Sequence, residues 1–592
     1  MVTAPVGQSH DPCARHFVSA IYPILISLII PDIGLDCKDF SRRAAGAGEK
    51  RLVRGAGSGY TEKRMRTALR MLGCLCGRGR KVGRNLPLPE TDGGHEQGHS
   101  LQTWACRITD IYICVILLVF PLFTGIHGYA NLTASKYIFF TAACILWLAG
   151  LLFCFLRGLR VRFRRDPALG CLVVFLTVNV LSALLSPYGS AAFLGAARGG
   201  GLLTALLTLA TVMGVCLFSG FRRSHAVCLA LSVTLCSVTG ILQLLGRNPF
   251  GLFPGELCYY DAYIRFNSEF LGTIGNADLH AAFLSLALPL LLGIYIERGG
   301  RWAWFLLPAG MGTLTLFVSG VAGGLLALLA AAAAALPWLL TDGMRARRIL
   351  IAGAVLTLSL TIALAFGAEY DGTNLQLFFS LRGLPLGMLG LTSGLMLCAV
   401  PAGRIKHFPA DLIRRLLIVT EILVLVLGLC VIYAAPPESG TLWELSRVLH
   451  GDIRDSFGSS RIRVWREVLA LISERPLLGG GPDTLALRLD IVFSRYAEAS
   501  GVTLTAFIDN AHNVYLGLLA DTGWLGLLSY LAAMACSLFS RNRTGRVPLA
   551  LALISCWIQD LFGLGLPITT PLIWILWGLF LSEKTIFAPG RD

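Results

Sequence analysis

A histidine and an asparagine, His512 and Asn513, lie next to each other near the end of a long polar segment, about residues 433–514. Imidazole has an intrinsic pKa of about 6.5, so a neutral His512 can accept a proton from an attacking hydroxyl group and act as a general base. The alternative is an interfacial histidine that caps the next helix. Asp509 and Asp521 could orient the imidazole or be irrelevant to it.

Residues 459–474 are predicted to form an amphipathic helix. Ser459 or Ser460 can cap its N-terminus, and Pro476 enforces its end. At about 100° per residue, its apolar side chains fall on one stripe. The stripe consists of Trp465, Val468, Leu469 and Ile472.

Three arginines of this helix differ in their predicted surroundings. Arg461 lies on the apolar stripe, one turn before Trp465, and a charge on a buried stripe needs an anionic partner. Arg461 is therefore the favoured phosphate ligand among them. Arg463 and Arg466 lie on the opposite side, where Arg463 can pair with Glu467. Both are candidate contacts to a substrate, although a solvated helix face explains them as well.

A glycine-rich turn follows this helix, with glycines at positions 479, 480 and 481 before Pro482. The turn lacks the Lys-Ser/Thr ending of a nucleotide-binding phosphate loop. We expect it to act as a hinge.

The composition places these residues in a membrane protein. With 55% hydrophobic residues, 14% charged residues and a mean hydropathy of +0.68, the chain is predicted to be an all-α polytopic membrane protein. A helix of about 20 apolar residues crosses the hydrocarbon layer, and about fourteen such windows follow position 108. They centre near Val115, Ile145, Leu176, Leu209, Leu235, Leu286, Pro308, Leu328, Leu358, Leu391, Leu425, Leu527, Ile554 and Trp574.

Basic loops predict the orientation of these spans. Clusters of arginine and lysine follow the even-numbered spans, which places those loops in the cytoplasm under the positive-inside rule. The net charge of +15 then comes mainly from the cytoplasmic loops and does not indicate a nucleic-acid partner. The long polar segment lies on the extracytoplasmic side. The clusters occupy positions 157–165, 222–223, 298–301, 345–348, 404–406 and 541–543.

The predicted organisation has four parts. Residues 1–100 form a basic extension that is predicted to be disordered, with an additional span at 17–35 as an alternative. Spans 1–11 occupy residues 108–433, and an extracytoplasmic loop with short helices occupies 434–512. Spans 12–14 occupy residues 513–585.

Few arginines are predicted on the extracytoplasmic side outside this loop. Arg198 lies close to the start of the fourth span, and Arg265 precedes the sixth. A guanidinium group matches a phosphate with two parallel hydrogen bonds, whereas an arginine at a helix mouth can also extend towards lipid headgroups.

Three stretches resemble motifs of the O-antigen ligase/polymerase family of bacterial membrane glycosyltransferases. They are a glycine-asparagine segment before the sixth span, an arginine-tryptophan helix with a proline-glycine turn, and a histidine-asparagine pair before the twelfth span. Their order around the largest loop carries the resemblance, which extends over residues 108–585. The stretches are 272–276, 461–465 with 476–479, and 511–516 with 521–526; Arg198 before Gly199 also resembles a family arginine.

This resemblance implies a fold of the C-type glycosyltransferase kind in the bacterial plasma membrane. The donor would be a glycan on undecaprenyl diphosphate, transferred on the extracytoplasmic face to a hydroxyl of a glycan or another acceptor. Other glycan-assembly membrane proteins would be further partners. Arg198, Arg265 and Arg461 would neutralise the diphosphate, and His512 would deprotonate the acceptor for an inverting attack. Asn276, at the start of the sixth span, and Asn513 would hold a sugar or position the helix mouths. No cofactor or metal is implied, and no dense carboxylate cluster in the sequence indicates a divalent metal site.

Several functions stay open at this point. A polymerase, the preferred reading, joins lipid-linked units to one another, whereas a ligase moves finished glycan to a lipid, protein or wall acceptor. A transporter or flippase should concentrate ionisable residues at mid-membrane depth in paired repeats. The spans here are nearly free of charge, with Glu421 and Asp560 as the main exceptions. An inactive scaffold would not need His512 and Arg461.

Overall fold

The computed structural model describes residues 93–126, 128–129, 132–161, 165–196, 199–245, 247–252, 271–367, 409–436, 438–497, 502–539 and 546–583. The chain forms two compact units, Met1–Leu101 and Gln102–Asp592. Everything described below lies in the second unit, apart from the start of the first helix. The alternative span at 17–35 and the predicted span near Leu391 fall outside the described residues.

The described part of the chain is mainly helical, because long runs of apolar residues alternate with short polar, glycine- or proline-containing breaks. The first helix, α1, continues into a π-helical segment at Val115–Val119 and a final turn at Phe120–Leu122. In chain order the helices are α1 Gly93–Cys114, α2 Leu132–Leu156, α3 Pro167–Leu184, α4 Ser190–Leu194, α5 Leu202–Phe218, α6 Arg223–Leu244, α7 Ala277–Arg298, α8 Leu306–Ser319, α9 Ala322–Leu339, α10 Gly343–Gly367, α11 Ala410–Ala434, α12 Thr441–Leu449, α13 Arg461–Ile472, α14 Val514–Phe539, α15 Val547–Gln559 and α16 Thr570–Leu581.

Ten of the described helices are long and apolar enough to cross a membrane, and three shorter apolar helices accompany them. The predicted span centres fall within these helices, except for the centre near Leu391, which is not described. A multi-pass, mainly helical membrane protein is therefore confirmed. The total number of spans and their orientation stay predictions.

Helix α7 is the centre of the helical body. Every residue from Leu279 to Ile296 is buried, because α7 is apolar around its whole circumference and must be enclosed by other helices. It packs most extensively against α15, and also against α6, α8, α9 and α10. The first turn of α7, which contains Asp278, is thereby held on a well-packed element.

Helix α14 is interrupted at Gly523, whose φ of 65° and ψ of −170° are not helical. Glycine adopts a positive φ at little cost because it has no Cβ. The helix packs along α3. At its start, next to His512, the backbone N–H of Val514 donates to the carbonyl of Asp560 at 2.9 Å.

The long loop (residues 434–512) contains a β-hairpin in addition to the short helices that the sequence predicted there. Strands β1 (Val492–Ala497) and β2 (Val502–Phe507) pair antiparallel, with Val492 opposite Phe507. The sequence of β2 is rich in β-branched residues and alternates polar with apolar side chains over part of its length, which is a strand pattern. The signal was therefore present in the sequence, in a loop where short helices were expected.

Helix α13 buries Val464, Val468 and Ile472, so its buried stripe is rotated relative to the predicted one. Leu469, which was placed on the stripe, is 53% exposed. Apolar residues of the loop and of α14 pack against this helix, and their position decides which side is covered. These residues are Leu485, Ile491 and Ala511 of the loop and Leu519, Ala520 and Leu527 of α14.

The predicted cap of α13 is also wrong. Ser460 occupies the N-cap position, but its side chain makes no capping hydrogen bond. Ser459 and Ser460 both have a positive φ, of 57° and 66°, whereas a capping serine adopts an extended backbone.

Candidate functional site

Arg461 forms an ion pair with Asp278, with 3.7 Å between Nη2 and Oδ2. Arg461 is the first residue of α13, and Asp278 lies in the first turn of α7. The two side chains are 26% and 30% exposed, so both can be reached from outside the protein. The anionic partner that the sequence required for Arg461 is therefore Asp278. This pair brings together two of the three predicted motifs.

Asn276 caps helix α7. Its Oδ1 accepts a hydrogen bond from the backbone N–H of Leu279 at 3.0 Å. The preceding turn is held by Gln243, whose Oε1 accepts from the N–H of Gly272 at 2.8 Å. These bonds fix the position of the first turn and with it Asp278. The contact seen for Asn276 is a positioning one, and a contact to sugar stays a prediction.

Trp465 connects α13 to the third motif. Its indole Nε1 donates to the carbonyl oxygen of Ala511 at 2.9 Å, and the buried Ala511 directly precedes His512. Arg461 precedes Trp465 by one turn, or about 6 Å along the helix axis. Helix α13, which begins at Arg461, is therefore attached to the residue before His512.

His512 has an uncommon backbone conformation. Its φ of 48° lies in the left-handed region, which residues with a Cβ rarely adopt. The N–H of His512 donates to Oδ1 of Asn510 at 3.0 Å. On the other side, Oδ1 of Asn513 accepts from the N–H of Leu516 at 3.0 Å and caps α14. Strained backbone positions concentrate at functional sites, and the partly exposed His512 is such a position.

The two aspartates that could orient His512 have different roles. The side-chain amide of Asn510 donates to Oδ1 of Asp509. Asp509 therefore helps to hold the Asn510 side chain, whose oxygen accepts from the N–H of His512. Asp521 lies about 10 Å along α14 from its start, and its Oδ2 accepts from the N–H of Asp483 at 3.1 Å. Asp521 therefore binds the backbone of the turn that follows α13.

Arg463 and Arg466 are both exposed. The guanidinium of Arg463 lies 5.7 Å from the centroid of the Phe493 ring. Arg466 pairs with Asp455 at 2.5 Å. The predicted pair of Arg463 with Glu467 is not formed in the described part of the chain. The observed contacts are those of a solvated helix face, and a substrate contact of either arginine stays a prediction.

Arg198 and Arg265 fall outside the described residues, so their role stays a prediction. The chain on both sides of Arg198 is described. The N–H of Ala196 donates to the carbonyl of Asp483 at 3.2 Å, and the N–H of Gly200 donates to Oδ2 of Asp483 at 3.0 Å. Asp483 thus fastens these flanking residues to the turn that follows α13.

The glycine turn after α13 packs against α14. The N–H groups of Gly480 and Gly481 donate to the carbonyls of Ala520 and Asp521 at 3.0 and 2.9 Å. A Cβ at Gly479 would lie 2.4 Å from the backbone of Asp521, so only glycine permits this approach. The turn is a hydrogen-bonded contact between two helices and not the free hinge that the sequence suggested.

An ionic cluster stiffens the first part of the long loop. Arg454 and Arg447 both donate to the carboxylate of Asp452, with distances between 2.5 and 3.1 Å. The hydrogen bonds from Arg454 and from Arg447 lower the pKa of Asp452 to about 2. The carboxylate therefore stays ionised and paired well below neutral pH.

Two residues of the site escaped the analysis of the sequence. Trp465 was counted as part of an apolar stripe and of the arginine-tryptophan stretch, but its N–H was given no partner, although a buried indole N–H needs one. Asp278 was noted only as part of the glycine-asparagine stretch. An acidic residue in the first turn of a helix is common because the helix dipole favours it, so its presence did not indicate a pairing.

Residues 305–531 match the model of a family described as O-antigen ligase. The matched range contains α13, His512 and the first part of α14, and it begins after Asn276 and Asp278. No curated protein and no solved structure gives a significant match to the chain.

Proposed function

Because residues 305–531 match the model of the O-antigen ligase family, we propose that the protein transfers an oligosaccharide from undecaprenyl diphosphate to a hydroxyl acceptor. Transfer takes place on the extracytoplasmic face of the bacterial plasma membrane. The family supports a function of the O-antigen ligase/polymerase type; the donor, the direction and the side of the membrane are our proposal. The observation that carries it is the connection from Arg461 through Trp465 to His512.

In the proposed reaction the acceptor oxygen attacks the anomeric carbon of the donor sugar. The bond from this carbon to the diphosphate oxygen breaks, and the diphosphate leaves with the electron pair. His512 takes the proton of the acceptor hydroxyl, and the configuration at the anomeric carbon inverts. Arg461, together with Arg198 and Arg265, stabilises the charge that develops on the leaving diphosphate. The donor is already activated, so this proposal needs no metal or cofactor.

The acceptor distinguishes two variants of this function. In a polymerase, which we prefer, the acceptor is another lipid-linked glycan. In a ligase, the acceptor is a lipid, a protein or a wall polymer, and the description of the matched family favours this second variant. Both use the same donor, so the site described above serves either one.

The size of cellular glycans tests this function. We compare lipid-linked and surface glycans from cells with the wild-type protein, a deletion, His512→Ala or His450→Ala. His450 is a matched control because it lies in the same long loop, stacked on Tyr433 with ring centroids 4.1 Å apart. We expect His512→Ala to reduce transfer by about 10²–10⁴-fold while the protein stays in the membrane, and His450→Ala to transfer normally.

The accumulated product separates the variants. Single repeat units without long chains, in both the deletion and His512→Ala, indicate a polymerase. Long chains that stay on the lipid carrier indicate a ligase. Lipid-linked units trapped on the cytoplasmic side would show a transporter and contradict the proposal, as would normal transfer by purified His512→Ala.

A further inference from the structure

The pair of Arg461 and Asp278 is looser than a second ion pair on the same helix. Its Nη2–Oδ2 distance is 3.7 Å, whereas Arg466 and Asp455 approach to 2.5 Å. Charge-assisted hydrogen bonds between these groups are usually about 2.7–2.9 Å long. Among the described residues, the guanidinium of Arg461 makes no hydrogen bond, so its fork of N–H donors is available to a second anion.

Asp278 has a source of stabilisation besides Arg461. It lies in the first turn of α7, which is 22 residues long. The free N–H groups and the helix dipole favour a negative charge at this position. The Asp278 carboxylate therefore keeps a favourable electrostatic contact when Arg461 binds another anion. Asp278 is partly exposed, with 30% of its side-chain surface accessible.

We propose that Asp278 holds Arg461 in the empty protein and competes with the diphosphate of the donor for this arginine. The inference rests on the proposed function for the identity of the ligand. Donor binding replaces a carboxylate with a phosphate on the guanidinium of Arg461. The nearby charge of Asp278 then repels the bound diphosphate, which limits donor affinity and favours release of the carrier after transfer. Asp278 is thus a residue that sets the affinity for the lipid diphosphate.

The test measures the binding of radiolabelled undecaprenyl diphosphate to the purified full-length protein in nanodiscs. Asp278→Asn removes the competing charge, so we expect the Kd to fall by about two- to fivefold, the range of a partly exposed ion pair. Arg461→Gln should raise the Kd by about tenfold or more because a charge-assisted contact is lost. Asp455→Asn breaks the other ion pair of α13 and is the matched control; its Kd should equal that of the wild type.

A purely structural role of Asp278 gives a different result. If this carboxylate only stabilises the start of α7, Asp278→Asn will lower the melting temperature and leave the Kd unchanged, or weaken binding, and either outcome overturns the inference. If Asp278→Asn fails to fold, Asp278→Ser replaces it, and we expect the same fall in the Kd. Failure of the wild-type protein to bind undecaprenyl diphosphate would refute the proposed function itself. If Arg461→Gln raises the Kd and Asp278→Asn leaves it unchanged, only the competition between Asp278 and the diphosphate is refuted.

Discussion

The φ of 48° at His512 is maintained by side chains that come from other parts of the loop. Asn510 binds the N–H of His512, and Trp465 binds the carbonyl of the preceding residue, Ala511. A single hydrogen bond of this kind contributes about 1 kcal/mol to stability. Loss of such a bond should affect the rate of transfer more strongly, because displacing a general base by about 1 Å can slow the reaction by about two orders of magnitude.

Trp465→Phe tests this positioning. The change keeps an aromatic ring but removes the indole N–H, so we expect kcat to fall by about tenfold. The Kd for undecaprenyl diphosphate should stay unchanged, because Arg461 is not altered. Trp443→Phe is the control, since Trp443 packs edge-on against Phe457, with centroids 5.6 Å apart, in the first part of the loop. Equal kcat values for both variants would mean that the Trp465 N–H does not position His512.

At the scale of the elements, the site depends on how α13 is attached to the membrane body. The glycine turn binds the interruption of α14, where the N–H of Trp524 donates to the carbonyl of Pro476 at 2.8 Å. Helix α3 binds the same part of α14, since the hydroxyl of Ser182 donates to the carbonyl of Asp521 at 2.8 Å. Gly523 makes this packing possible. Helix α13 is therefore held at its end by α14 and at its start by the ion pair with α7.

Gly523→Ala should detach the turn. A Cβ at Gly523 would lie 2.3 Å from the backbone of Leu477, and the positive φ adds strain. We expect a loss of about 1–3 kcal/mol of stability, a lower melting temperature in detergent and reduced transfer. Gly517→Ala in the same helix is the control, because no atom lies within 4 Å of its added Cβ. A melting temperature of Gly523→Ala equal to that of Gly517→Ala would contradict the prediction.

At the scale of the whole molecule, the candidate site residues lie at the starts of helices whose last residues are basic or are followed by basic residues in the sequence. Helix α7 begins beside Asp278 and ends at Arg298. Helix α14 begins beside His512, and basic residues follow its last residue, Phe539, at positions 541 and 543. The positive-inside rule predicts that basic loops face the cytoplasm, so it predicts an extracytoplasmic position for the ion pair and for His512.

Cysteine labelling tests this orientation. A single cysteine is introduced at Glu467, exposed on α13, or at Arg301, exposed between α7 and α8, in a background with the native cysteines replaced. In spheroplasts, a membrane-impermeant maleimide should label the Glu467→Cys protein at once. It should label the Arg301→Cys protein only after the membrane is permeabilised. The reverse pattern would place the site in the cytoplasm.

The sequence by itself determined the class of the protein and the position of its helices. Apolar windows and their period are local properties, and each described span centre was found within a helix. The candidates Arg461 and His512 were also found by local reasoning, since a charge on an apolar stripe and a histidine at a helix mouth are visible without a fold. The hairpin at β1 and β2 carried a local signal as well, but it was overlooked.

Only the tertiary structure decided which of these residues meet. The pairing of Arg461 with Asp278, and the bond from Trp465 to the residue before His512, join segments that are far apart in the chain. Such contacts depend on how helices pack, which no local period encodes. The same reason explains the errors on α13. Its buried face is set by apolar residues of the long loop and of α14, and its start is set by a backbone with positive φ at Ser459 and Ser460.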